Sequence, residues 1–514
     1  MVFLLGLGLA GCGEPEPRAV RVVADGQRLL VQVNASHLTV RELLDALGIT
    51  LDPLDRLEPD LYVEVTEGMT VVVTRVRETF ETERQVLPFE HKTVRSEGIP
   101  EGERRLLQAG KNGEIEITYQ VTLEDGIQVG REEVSREVLT EPVDETVLVG
   151  VQGELVSVPI SGTIVYLSGS NAWIMREVTD LRRNITGSAD LDGRVFALSA
   201  DGSRLLFTRG MTGDADTPLN SLWMARTSVV GDEPQYLGVT GLVWAEWSPD
   251  GKRLAYSTAQ RSGGVPGWKA NNDLWVMTLP EEGSDKAPQA QTPGIQEVLP
   301  PSADIPYSWW GRSYAWSPDG NYLAYAQANE VGVVALADKV PLPLFSFPEY
   351  RTQSQWAWVP SVSWSPDGYL VAFVAHEGDL EDLAPEDSPI FGLWTSSAQG
   401  NLDVRLAEEV GMWAAPLWSP TDNGLVAYGQ AQSPRNSQDS RYELFVMDRD
   451  GSNKRRLFPP EGLMGLIAPD LAWSPLGDAL LFEYEGNLYR VDVGTGDLAQ
   501  LTSDGQSSHP RWAE

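Results

Sequence analysis

From about residue 160 onward, short apolar runs alternate with polar turns at a near-regular interval. The runs are Arg-Leu-Ala-Tyr (253–256), Tyr-Leu-Ala-Tyr (322–325), Leu-Val-Ala-Phe (370–373), Leu-Val-Ala-Tyr (425–428) and Leu-Leu-Phe (480–482). Each follows a tryptophan and a turn, which read Trp-Ser-Pro-Asp-Gly at Trp247, Trp316 and Trp364. Looser copies begin at Leu198, Trp418 and Trp473. In the turn, proline presets φ at the first corner, aspartate bonds back to the backbone, and glycine takes the left-handed position. The phrase therefore joins two antiparallel strands. A third strand follows in each unit, such as Asp-Leu-Trp-Val-Met (273–277) or Glu-Leu-Phe-Val-Met (443–447), and often a fourth, as at 455–457 or 499–502. Self-similarity at this period, with four strands per unit, predicts a β-propeller.

Copies are spaced by 49, 69, 48, 54 and 55 residues. The longest interval holds 263–271 and 281–305, rich in Pro, Gly, Ser and Ala, which are read as loops. The segment at 162–186 supplies a second, third and fourth strand without a first, and His509-Pro-Arg-Trp512 supplies a first strand with nothing after it. The C-terminal strand is therefore expected to pair beside Ile164, closing seven blades and removing exposed sheet edges.

The N-terminal part is patterned differently: all 17 tryptophans lie at or after Trp173. Apolar alternation at 20–24 and 29–33 around Asp25-Gly26 predicts a hairpin. Thr39 and Glu42 form a capping box ahead of Leu43, Leu44 and Leu47, with Gly48 as the stop. Strands are expected near 62–65 and 70–76, giving a small β-grasp sheet holding one helix. Next comes a strand-rich segment, poor in large apolar residues, with Ile115, Ile117, Tyr119 and Val121 alternating and glycines at 98, 102, 110, 113, 126, 130 and 150. The whole chain is thus expected to be mainly β. The expected divisions are 1–11 (signal), 12–18 (linker), 19–76 (β-grasp), 77–153 (thin sheet domain) and 160–514 (propeller).

Composition narrows the function. The formal net charge of −35 argues against a nucleic-acid partner, which needs a basic surface. With one cysteine, neither an internal disulfide nor a cysteine-based zinc site is available, and the four histidines lack ligand spacing. No metal or cofactor is expected. Hydrolase elbows, His-Glu-x-x-His and phosphate loops are missing. The expectation is a binding protein, with a carbohydrate-active propeller enzyme built on an acid pair, or a structural scaffold, as the alternatives.

Three resemblances add to this reading. Leu9-Ala10-Gly11-Cys12 resembles a bacterial lipobox, which implies that residues 1–11 are removed and that Cys12 carries lipid; the competing reading is an N-terminal strand. Thr39-Val40-x-Glu42-Leu43-Leu44, Gly48-Ile49, Asp55 and Pro59, followed by Gly110-x-x-Gly113, Asp125-Gly126, Glu141-Pro142 and Gly150, resemble the β-grasp module and G5 (five-glycine) domain of resuscitation-promoting factors and related wall proteins. This implies an extracytoplasmic, membrane-anchored envelope protein whose G5 region binds N-acetylglucosamine-containing glycan or acts as a spacer. The Trp-Ser-Pro-Asp-Gly repeats resemble the TolB-like propeller family, which implies the fold and leaves the ligand open.

Outside the repeat position, Trp244, Trp309, Trp310, Trp356, Trp358 and Trp413 stand three to eight residues ahead of a first-strand tryptophan, with Asp304 and Arg312 nearby. They fall in connections between blades on one face. Exposed there, they would form a platform for sugar rings or a peptide; the alternative is that each plugs a gap between blades.

Overall fold

The computed structural model describes residues 2–5, 17–35, 37–100, 102–152, 155–279, 294–352, 354–378 and 383–514. Cys12 lies outside them. The chain divides into two compact units, Met1–Glu90 with Ala109–Glu145, and His91–Gln108 with Thr146–Glu514.

In the first unit, Arg18–Ala24 and Gln27–Val33 form the expected hairpin, with Asp25 and Gly26 both at positive φ. The sheet continues with Thr70–Thr74, parallel to the first strand, and ends at Arg56–Glu58. On the other edge, Val2–Leu5 pairs in parallel with residues 30–33. The helix Val40–Ala46 carries the full capping box and buries Val40, Leu43 and Leu44 against Val20, Val22, Val31, Val71 and Val73. The strand expected at 62–65 is not one. Its backbone serves the helix start instead: the Val40 amide donates to Val63 O and the Val65 amide to Leu38 O. The strand lies earlier, at Arg56–Glu58.

Beyond this sheet, Val76–Leu87, Gly113–Glu124 and Ile127–Thr140 make a long three-stranded sheet. Its sequence alternation buries Ile115, Ile117 and Val121 on one face. Two glycines are required by close approach. A Cβ on Gly113 would stand 2.2 Å from Thr140 O, and one on Gly110 would stand 2.3 Å from the Phe89 ring.

In the second unit, His91–Pro100, Glu145–Gln152 and Arg104–Gln108 form a short sheet. Leu107 and Leu148 from it pack with Ile160, Ile164 and Trp173. The rest of the unit is a ring of seven antiparallel sheets. Blade 1 is residues 159–184 with Ser508–Ala513 as its inner strand; blades 2 to 7 span 191–240, 242–299, 313–346, 362–407, 417–458 and 471–500. Closure is direct: Ile164 pairs with Trp512, and Thr163 with Ala513. The run Asn171–Asn184 cannot be one straight strand. Thirteen extended residues span about 40 Å, yet the Ile185 amide reaches Ala172 O at 2.7 Å and Glu177 has φ +63°. The chain doubles back, so 181–186 returns as the outer segment. In blade 3 one expectation is corrected: Ile295–Leu299, read as loop, is the outer strand, burying Val298 and Leu299, and Trp268–Ala270 is a short strand.

The repeated turn behaves as its chemistry requires. The Gly251 amide donates to Ser248 O at 2.8 Å, Gly251 has φ +65°, and the Lys252 amide donates to Asp250. Ser248 Oγ also accepts the Arg253 amide at 2.9 Å. Asp250, Asp319 and Asp367 are partly desolvated, which favours the neutral acid, but their serine and backbone donors hold the carboxyls below the usual range. The tryptophans latch blade to blade. Trp247 Nε1 donates to Ala197 O, Trp364 Nε1 to Ala315 O and Trp473 Nε1 to Leu417 O, each at 3.0 Å and each to the preceding blade. Arg204 and Arg253 add a second stitch, bonding the turn carbonyls of Gly251 and Gly320 in the next blade.

Candidate functional site

In a closed ring of four-stranded blades, the turn from first to second strand lies at one end of the channel. Connections from second to third strand, and from outer strand to the next inner strand, lie at the other. The tryptophans outside the repeat position belong to this second end.

Four of the six candidates fall in two clusters. In the first, Trp310 stands with its ring centroid 5.3 Å from Trp268 and 5.6 Å from Trp309, edge-on to the latter. The Ala270 amide donates to Trp309 O, tying the 262–271 loop to the 300–312 connection. The guanidinium of Arg194 sits 5.1 Å from the Trp268 ring, close enough for a cation–π attraction. All three rings are half-buried. In the second cluster, Trp356 and Trp413 stack at 5.6 Å with 29° between their planes. Trp413 Nε1 reaches Gln438 O at 3.4 Å.

The other candidates are placed differently. Trp358 is 1% exposed, with Nε1 donating to Met412 O and its ring against Phe347 and Phe391. It plugs the space between blades and is removed from the platform. Trp244 packs against Tyr314 at 5.1 Å, half-buried. Arg312 donates to Gln327 Oε1 at 3.1 Å and lies over the Tyr325 ring, so it braces blade 4; Asp304 is exposed. Sequence reasoning missed Trp268 and Arg194. Trp268 lies in a segment read as plain loop, and Arg194 comes from an inner strand whose repeat phrase has lost its tryptophan.

Among the described residues, no group of three or more His, Cys, Asp or Glu is placed to hold a metal ion. His376 is engaged by two carbonyls, Pro348 O at 2.8 Å and Ser388 O at 2.7 Å, a structural use. No described helix is long and apolar enough to cross a membrane.

Comparison with known proteins resolves the N-terminal part. Residues 20–61 match the G5-linked-Ubiquitin-like domain family and residues 78–152 the G5 domain family. The resuscitation-promoting factor RpfB of Mycolicibacterium smegmatis is 28% identical over 142 residues, which are 27% of this chain and 38% of that protein. The match thus spans well under half of the relative. Among solved structures, TolB from Acinetobacter baumannii is 12% identical with a TM-score of 0.38, covering 85% of this chain and 100% of its own. The putative TolB from Agrobacterium tumefaciens is 19% identical with a TM-score of 0.35, covering 63% of this chain and 96% of its own. The chain therefore carries a G5-linked ubiquitin-like module and a G5 domain as in RpfB, followed by a seven-bladed β-propeller.

Proposed function

We propose that this chain is a cell-envelope binding protein of the G5-containing, RpfB-like wall class, held to the membrane through lipid on Cys12. Its G5 region engages N-acetylglucosamine-containing wall glycan, and its propeller presents an aromatic face to protein or glycan. The observation that carries the propeller half is the pair of half-exposed tryptophan clusters, Trp268–Trp309–Trp310 with Arg194, and Trp356–Trp413. Flat, partly solvated rings with a cation at hand bind sugar faces and peptide side chains through area and stacking. The reading is recognition through these rings rather than turnover.

Sedimentation of the full chain with isolated cell wall tests the glycan half, and tryptophan fluorescence titrated with soluble wall fragments tests the face. Co-sedimentation together with an emission change that Trp309→Ala plus Trp310→Ala removes would support both halves. Neither sedimentation nor emission change would leave a structural scaffold.

A further inference from the structure

The first tryptophan cluster holds a cation that the fold leaves without a partner. Other arginines of blades 2 to 4 are engaged. Arg209 pairs with Asp190 at 2.7 Å, Arg261 donates to the carbonyls of Thr217, Met211 and Pro218, and Arg312 donates to Gln327. Arg194 is exposed, and among the described residues its guanidinium makes no hydrogen bond and no ion pair; it lies 5.1 Å from the centre of the Trp268 ring. An indole face orients a guanidinium without using its N–H groups, so the donor fork stays available to a ligand.

The acids nearby are engaged elsewhere or stand apart. Asp192 Oδ1 accepts the Arg194 backbone amide at 3.0 Å and the Thr208 hydroxyl, and its Oδ2 accepts Asn220 Nδ2 at 2.8 Å. Asp190 is held by Arg209 and by the Ser188 hydroxyl. Asp304, on the 300–312 connection, is exposed and forms no ion pair with Arg194. The protein around Arg194 strips part of its hydration, which lowers its pKa from the ordinary value against the raising charge of Asp192. A reachable cation with thinned hydration gains more from an arriving anion than one in open water.

We propose that the Trp268–Trp309–Trp310 cluster binds a sugar whose ring carries a carboxylate, with the pyranose on the indoles and the carboxylate on the Arg194 fork. The proposal rests on the reading of the aromatic face as a glycan site and names the class of glycan. A planar carboxylate meets a guanidinium through two parallel hydrogen bonds. One cation also suits one negative charge: Lys269 leaves its strand on the face opposite to Trp268. Cation and indoles stand side by side, so ring and charge are met by neighbouring groups. An acidic peptide finds less here. The strand Trp268–Ala270 is paired along one edge with residues 259–261, and its Ala270 amide is taken by Trp309 O at 3.0 Å, which leaves side-chain faces rather than free backbone to the ligand.

The test is calorimetric titration of the full chain, up to millimolar concentration, with tetramannuronate, its carboxyl-reduced counterpart mannotetraose and an end-blocked Gly-Gly-Glu-Gly-Gly peptide. Neither sugar contains N-acetylglucosamine, so the G5 region is not the site being read. Tetramannuronate should bind about tenfold or more tighter than mannotetraose. Arg194→Gln should erase that preference, Arg194→Lys should keep part of it, and Trp309→Ala plus Trp310→Ala should weaken both sugars. Equal binding of the two sugars, lost in the double tryptophan variant, would overturn the carboxylate proposal and leave the aromatic glycan face standing; binding of neither would remove both. Tighter binding of the peptide, or an undiminished preference in a folded Arg194→Gln variant, would also overturn the proposal.

Discussion

Two glutamates show how differently the G5 sheet and the propeller treat the same side chain. Glu83, on the long strand Val76–Leu87, stands in the open; its hydrogen bond from Arg131 holds its carboxyl below the usual range. Glu246, on an inner propeller strand, is half-buried with Oε2 sealed from solvent, and burial drives its carboxyl the other way. The contrast follows from thickness. The two outer strands of the G5 sheet are exposed almost end to end, and its middle strand buries only Gly113, Ile115, Ile117 and Val121. It is decorated by charge pairs such as Arg84–Glu116 and Arg131–Glu83. In the propeller, each sheet is pressed between two others, and blades share apolar clusters reaching from Ala324 to Met447. One region rests on strand pairing and solvated charge, the other on burial and interlocked indoles.

The sharpest way to test this division is to remove one latch. Trp364 is 8% exposed and bonds Ala315 O in the preceding blade. Trp364→Ala should cost about 3–5 kcal/mol, seen as a lower melting temperature of the propeller by near-ultraviolet circular dichroism. A loss under about 1 kcal/mol would mean that the blades are held without their indoles.

Next in size is Glu246→Gln. The folded-state carboxyl lies at about 7 against an ordinary 4.5, so the native state binds the proton more tightly than the unfolded chain. Stability is full below pH 4.5 and lost as pH rises through about 7, by about 3 kcal/mol once the group is ionised. The glutamine variant should match the wild type at pH 4 and exceed it by about that amount at pH 8. Denaturant unfolding at the two pH values checks it; parallel curves for the two proteins would contradict the enclosed carboxyl.

The first unit should respond to pH with the opposite sign. Arg75 bonds Asp25 and Asp55 at 2.6 Å each, and Asp55 Oδ1 also accepts the Val76 amide at 3.0 Å. For Asp55, desolvation opposes charge, but the Asp52 amide, Arg75 and the Val76 amide outweigh it and hold the carboxyl low; Asp25 is held low chiefly by its bond to Arg75. A lowered carboxyl gives stability above its ordinary value, near 3.8, that is lost on acidification through the folded value. Arg75→Ala should cost about 2–3 kcal/mol at pH 7, measured by proteolysis or exchange of the first unit, and should flatten its acid limb. Retention of the acid limb would show that the backbone amides alone hold Asp55.

What the sequence made visible was local chemistry repeated often. Ser-Pro-Asp-Gly carries its own turn geometry, so strand pairs, blade count and the closure of Trp512 on Ile164 were all readable. The Thr39–Glu42 capping box is local in the same sense. Features decided by distant partners were not readable. Residues 295–299 mix Gln296 and Glu297 with apolar neighbours, and only the edge of Leu274–Thr278 makes them a strand. Trp358 and Trp356 stand two residues apart with the same prospects, yet the first is sealed by Met412 and Phe391. Glu246 could have been found by aligning the repeats, since it is the one acid in a column of Ala, Ser, Leu and Arg.

The smallest effect is expected where charges are most numerous. Arg84 pairs with Glu116 at 3.0 Å and lies 3.9 Å from Glu114, with 63% of its side chain exposed. Exposed pairs of this kind contribute about 0–1 kcal/mol, because solvent already satisfies both partners and holding long side chains costs entropy. Arg84→Ala should therefore shift the stability of the first unit by less than about 0.5 kcal/mol, and molar salt should shift it no further. A cost above about 2 kcal/mol that salt reproduces in the wild type would show that the charge ladder, rather than Ile115, Ile117 and Val121 with the strand pairing, holds the thin sheet, and the division drawn between the two regions would fail on its weaker side.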